Sequence, residues 1–567
     1  MPTTTSSNPT RPTIFFPYRA DELAAARVRS GEGTRVLLSP RAWLFWASLT
    51  LAACSSASHS DTPSVADAAA ETRDSAPTME ARDAAVEDAQ ARAHAEDAGE
   101  VQQASIKASN PSQGSFFGSA AALSADGNTL AVAAVGESSD AVGINGNESD
   151  TSTRSAGAVF VFTRSGTTWS QQAYVKASNT RVGQWFGSAI ALSADGNTLA
   201  VGADGDASDA TGIDGDPGGA AAVDSGAVFV FTRSGSTWMQ RAYLKPSNTS
   251  EGEAFGGSVA LSADGDTLAV GAVGEPSDAT GVNGDQSDES LTQAGAVYVF
   301  ACGSSTWSQQ AYVKASNTAT GAAFGYAVAL SSDGTTLAVG ADGEKSNATG
   351  IGGNQSDTSV TGAGAVYVFT RSAATTWTQQ AYVKASNTAV NGEFGASLAL
   401  SSSGDALAVG AWGESSDATG IDGNQSSVAD DGAGAVFLFA RSASTWMQQA
   451  YVKASNTATG DNFGFAVALS SDGTTLVVGA NGESSGTTGV NGDQTSTSDP
   501  VSGAVYVFAE TGTTWAQREY VKASDTAAGA NFGSTLALSS DGTTLAVGAE
   551  SAKNGADDHA GAIYIFR

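Results

Sequence analysis

The 567-residue sequence predicts an all-β chain folded as a closed ring of seven four-stranded antiparallel blades. Three observations carry that expectation. A Phe-Gly mark recurs at Phe117, Phe186, Phe255, Phe324, Phe394, Phe463 and Phe532, spaced by 69 or 70 residues, and so regular a period means one supersecondary unit repeated. Each period holds four short apolar runs separated by turn residues, with no helical periodicity. The last period ends at Arg567 without its fourth run, and a copy of that run stands before the first period.

In the second period the first run is Ala189 to Leu192 and the second Thr198 to Ala203, joined by Ser-Ala-Asp-Gly-Asn. Asp-Gly between two apolar runs marks a tight hairpin, because such turns need positive φ. The third run is Gly226 to Phe231 and, after a Thr-Arg-Ser-Gly-Ser turn, the fourth is Thr237 to Lys245. Alternation puts Ala227, Phe229 and Phe231 opposite Val228 and Val230, and Leu199, Val201 and Ala203 opposite Ala200 and Gly202. Both faces of the sheet are apolar, one bulky and one small, so neighbouring blades must cover both. The segment Gln102 to Asn110 matches Gln171 to Asn179, the fourth run of the first period. Pairing it with the seventh period removes an open edge and closes the ring, which is the construction of a seven-bladed β-propeller of four-stranded antiparallel blades.

Phe-Gly, then VALSADGDTLAVGA (259–272), then GAVYVF (295–300), resembles the FG-GAP repeats of integrin α-subunit propellers and, more closely, a bacterial subgroup found in exported proteins. The resemblance covers Gln102 to Arg567. It departs at the first hairpin, where the integrin-type repeat carries a calcium loop of several carboxylates. Here Asp126, Asp195, Asp264, Asp333, Asp472 and Asp541 stand alone, and the fifth copy has Ser403. One carboxylate cannot supply six to eight oxygens, so these residues are expected to form turns.

Ahead of the ring, Arg41 is followed by an apolar run from Ala42 to Ala53 and then Cys54. That run is too short to span a bilayer as a helix. Leu51-Ala52-Ala53-Cys54 resembles the lipobox of bacterial lipoproteins, which implies a leader over 1–53, cleavage before Cys54 and lipidation of that cysteine. Ser55 and Ser56 follow it, and the resemblance then implies an outer-membrane or cell-surface destination. The stretch before the apolar run is long for a leader, so translation is expected to start near Val28 or Val36. Residues 54–100 hold almost no large apolar side chains and are expected to be a disordered tether. The propeller is then expected over 101–567.

A formal charge of −31 argues against nucleic acid as a partner and leaves cations or basic partners open. The longest and most acidic segment of each blade joins the second run to the third. Asp209, Asp214 and Asp216; Asp278, Asn283, Asp285 and Asp288; and Asp417, Asp422 and Asn424 recur there at fixed offsets. Two readings stand for these residues: turn formers that keep the rim soluble, or calcium ligands. The lysines from Lys107 to Lys522 form a ring near this rim and are expected in salt bridges, worth about 0–1 kcal/mol each if exposed. Arg164, Arg233, Arg371 and Arg441 are expected in turns on the opposite face. Cys302, in the place of such an Arg, reads as a drifted loop residue.

Catalysis finds little support in the sequence. His59, His94 and His559 neither recur nor pair with a nucleophile. Blades differ modestly, at Trp185, Trp412, Cys302 and Pro217-Gly218-Gly219, with Trp412 able to stack on a sugar. The sequence therefore predicts a lipid-anchored, monomeric propeller with no required cofactor, acting as a non-enzymatic binding or adhesion module for an unknown protein or glycan. The alternatives are an enzyme acting at the central channel, a hydrolase or lyase, and a multivalent lectin.

Overall fold

A computed structural model describes residues 101–304, 306–373, 376–555 and 557–567. The leader, the lipobox with Cys54, and the tether lie outside them. Among the described residues 28 strands form seven four-stranded antiparallel sheets. Blade two shows the common plan: Phe186–Leu192, Thr198–Ala203, Ala227–Ser234 and Thr237–Leu244. Its second and third strands pair Leu199 with Phe231, Val201 with Phe229 and Ala203 with Ala227.

The hairpin between the first two strands is built by Asp195. Its Oδ1 takes the Ser193 hydroxyl at 2.6 Å and the Asn197 N–H at 2.9 Å, while Gly196 adopts φ 68°. Burial raises the Asp195 carboxyl, but the hydrogen bonds from Ser193 and Asn197 and the charge of Arg233 outweigh it, and the net shift is downward. The six aspartates at this position all receive such bonds, as turn formers do. The turns also link the blades: the chain of backbone bonds from Ala125 to Ala194, Ala263, Ser332, Ser402, Ser471 and Ser540 returns to Ala125, every link 2.9–3.0 Å long. Such a circuit exists only in a closed ring.

The expected closure is present. Gln102–Ile106 pairs antiparallel with Ala562–Phe566, setting Ile106 opposite Ile563, and the seventh sheet is completed by the first strand of the chain. The cores lie between blades. Leu199, Val201, Phe229 and Phe231 of blade two interleave with Ala131, Ala133, Val159 and Val161 of blade one, and each buried Phe stabilises the joint by about 1.5–3 kcal/mol. Two glycines per repeat permit the approach. Gly256 holds φ 94°, where an added Cβ would sit 2.6 Å from the Ala227 carbonyl, and Gly226 holds φ 78°, with Phe255 O only 2.1 Å from such an atom.

Two expectations about charged and loop residues are corrected. The third strand runs on through Thr232-Arg233-Ser234, so Arg233 pairs with Trp238 inside the sheet instead of sitting in a turn, and Arg164, Arg371 and Arg441 do likewise. The reason is a stack: the Arg233 guanidinium lies 5.3 Å over the Trp238 ring and donates to Gln172 and Thr129 of blade one at 3.2 Å. Cys302 likewise belongs to a strand, Ala296–Gly303, opposite Trp307.

Candidate binding site at the channel mouth

The expected salt bridges form at six of the seven repeat lysines, and those six are buried. Lys176, Lys314, Lys384, Lys453 and Lys522 meet Glu137, Glu275, Glu344, Glu414 and Glu483 at 2.6–2.8 Å, with every lysine side chain fully inaccessible. The lysine leaves the fourth strand where the sheet edge turns under the long loop, and the glutamate follows the second strand. Glu275 also accepts the Tyr312 hydroxyl at 2.7 Å, the Ser277 N–H at 3.2 Å and the Asn248 side chain, from the preceding connector, at 3.2 Å. Burial pulls the lysines down and the paired glutamates pull them back up, with burial prevailing. The signal was in the sequence: one acid after Gly and one base after Tyr-Val or Tyr-Leu recur together, 39 or 40 residues apart.

Blades two and seven depart from this pattern. Asp206 is one methylene shorter than Glu and stands 3.7 Å from Lys245. Gln184 and Asn179 reach in to hold its other oxygen at 2.8 and 2.9 Å, and Lys245 bonds Ser225 Oγ and the Gly226 carbonyl. Burial lowers Lys245 to about 8 against the pull of Asp206. In blade seven Ala552 takes the acid's place, and the partly exposed Lys107 donates to the Lys553 carbonyl.

The long acidic loops fold back over the outer edge of the fourth strands, where Ile213 bridges Leu244. Asp214, Asn283 and Asp422 hold left-handed φ of 52–56°, and their Oδ1 atoms accept the N–H of Tyr243, Tyr312 and Tyr451 at 2.9–3.0 Å. Asp216 accepts from Gly218 N, Asp285 from Ser287, Asp288 from Ser290 and from Asp278 N, and Asn424 from Ser426 N. Asp209, Asp278 and Asp417 are exposed. Asp278 and Asp285 both lie beside Asp288. Among the described residues no group of three or more His, Cys, Asp and Glu side chains comes together to hold a metal ion. The loops thus cover the outer edges of the fourth strands, with Asp214, Asn283 and Asp422 engaged by the N–H groups of those strands.

Blade differences concentrate at the channel. Consecutive first strands touch one another all round the ring, so they are the innermost. At their Phe-Gly ends, on the face that carries the long loops, the residue after Gly-Ala in one blade neighbours the residue after Phe-Gly in the next. A Cβ on Gly257 would lie 3.9 Å from Asp204, and the rings of Trp412 and Phe465 are 6.5 Å apart. The first of these positions holds Asp204, Asp342, Trp412 and Glu550 in blades two, four, five and seven, all partly exposed to the channel. Burial within the ring raises the carboxyls of Asp342 and Glu550 to about 7. The residue before Phe-Gly holds a left-handed φ in every blade, even where it is Trp185 or Phe116.

Seven blades closed by exchange of a terminal strand define a β-propeller. The family described as FG-GAP repeat matches residues 238–300, 307–369, 446–508 and 515–566, each window running from the fourth strand of one blade to the third of the next. No curated protein matches the chain. Among solved structures it is similar to a candidate 6-phosphogluconolactonase from Bacteroides uniformis, at 10% identity and TM-score 0.39 over 72% of this chain and 86% of that one. It is also similar to the periplasmic gluconolactonase PpgL of Pseudomonas aeruginosa, at 15% identity and TM-score 0.39 over 75% and 89%. At those scores neither likeness bears on what this chain binds.

Proposed function

We propose that this chain is an exported cell-envelope lipoprotein, anchored through Cys54, whose propeller is a non-enzymatic binding or adhesion module for a protein or glycan. The observation that carries the binding reading is the placement of chemical variety: the blades share their cores and, in five of them, the buried Lys–Glu pair, and they diverge in size, charge and aromaticity at the channel mouth. The carboxyls there, Asp204, Asp342 and Glu550, belong to three separate blades, an arrangement that suits contact with a ligand around a rim better than an acid and base paired on one side. No helix among the described residues is long and apolar enough to cross a membrane. The anchor is therefore assigned to the lipobox resemblance alone. Replacing Cys54 with Ala should release the chain from the membrane fraction of expressing cells; a variant that still pellets with membranes would refute the anchor.

A further inference from the structure

We propose that the channel mouth across blades four to six is a seat for an organic ammonium group, with Trp412 and Phe465 as its aromatic wall and Asp342 as its counter-charge. The inference rests on the binding reading above and names the chemistry of the ligand.

Successive positions around the mouth pair a residue from the second strand of one blade with a residue from the first strand of the next. Between blades four and five the pair is Asp342 with Ala396, and between blades five and six it is Trp412 with Phe465, tilted at 58°. Tyr326, one step before Asp342, is also partly exposed. In ring order an acid therefore stands at the step between Tyr326 and the Trp412–Phe465 pair, and its partner in the next blade is the small Ala396. Three features favour a cation over a neutral sugar. Asp342 makes no ion pair with a lysine or arginine among the described residues. Its ionised form is disfavoured by enclosure, a cost that a bound cation relieves. The acidic loops lie on the same face of a chain with net charge −31, so the field draws cations toward that face. Aromatic faces attract ammonium groups through their quadrupoles, Trp most strongly.

Sibling blades supply conservative replacements: Val stands at the Trp412 position in blades one and three, and Asn at the Asp342 position in blade six. The test is calorimetric titration of the full chain with choline, with its neutral carbon isostere 3,3-dimethylbutanol, and with methyl glucoside. Saturable one-to-one binding of choline is expected, at least about tenfold tighter than the isostere, and W412V and D342N should each weaken it about tenfold or more, about 1.4 kcal/mol, with melting midpoints unchanged. Phosphatidylcholine vesicles, set beside free choline, distinguish a membrane head group from a soluble ligand as the source. No saturable choline binding, equal binding of the isostere or of methyl glucoside, or binding indifferent to both substitutions would overturn the seat. Failure here with a protein or glycan still captured by the chain would leave the binding reading standing and remove only the ammonium seat.

Discussion

The buried pair of Lys314 and Glu275 makes a sharp quantitative prediction. Replacing Lys314 with Met leaves a carboxylate that keeps three donors: the Tyr312 hydroxyl, the Ser277 N–H and the Asn248 amide. Replacing Glu275 with Leu strands a fully buried ammonium whose bond to Oε2 was 2.6 Å, and orphans those three donors as well. Breaking a buried pair costs about 3–5 kcal/mol; the lysine variant should fall near the lower figure and the glutamate variant at or above the upper. The double replacement removes both charges together and should recover much of the loss, since an apolar pair of similar volume often matches or exceeds a buried ion pair. Urea unfolding of the four proteins, followed by circular dichroism and by tryptophan fluorescence, measures the cycle, and coincidence of the two probes checks that one transition is being read. Losses below about 1 kcal/mol for both single variants, the size expected of surface pairs, would refute the buried arrangement.

Two further outcomes follow from the same joints. Burial raises the Glu253 carboxyl to about 8, with Glu275 adding to it and Ser250 and Lys245 opposing it. The folded chain then holds a proton that the unfolded chain releases at ordinary carboxylate pH, so stability is greatest below about pH 4.5 for this group and is lost as pH rises toward 8. Glu253→Gln should flatten that slope and stabilise the chain at pH 8 by an amount of the order of a few kcal/mol; parallel pH profiles of melting temperature for the two proteins would contradict it. Deleting Gln102 to Asn110 removes the strand that pairs with Ala562–Phe566; light scattering should then show oligomers and the melting temperature should fall, whereas an unaffected monomer would count against closure.

Much of this architecture was legible because repetition amplifies weak signals. One Asp-Gly turn is common, but six Asp-Gly turns and one Ser-Gly turn in phase with seven Phe-Gly marks fix strand number, register and the borrowed strand. The burial of the lysines was not legible because a charged residue at a strand end ordinarily reaches water. Only the three-dimensional fold brings Glu275 back to Lys314, and the hint lay in their joint recurrence. The arginines were misread because the stack on Trp238 and its equivalents extends the hairpin beyond its apolar run. In the acidic loops, composition left turn formers and calcium ligands both open, and the fold commits Asp214, Asn283 and Asp422 to the N–H groups of an exposed edge. Trp412 stood out in the sequence, yet its company did not: Phe465 becomes its neighbour through the adjacency of blades five and six, which no local pattern encodes.

The binding account is tested most directly by capturing a ligand on the full chain from a defined glycan and protein array, incubating the complex, and weighing the recovered ligand by mass spectrometry. The account predicts saturable capture, reduced by substitutions at Trp412 and Asp342, with the ligand returned at unchanged mass. A ligand returned cleaved or otherwise altered, with the change abolished by substitution of Asp342 or Glu550, would contradict it and make the channel an active site.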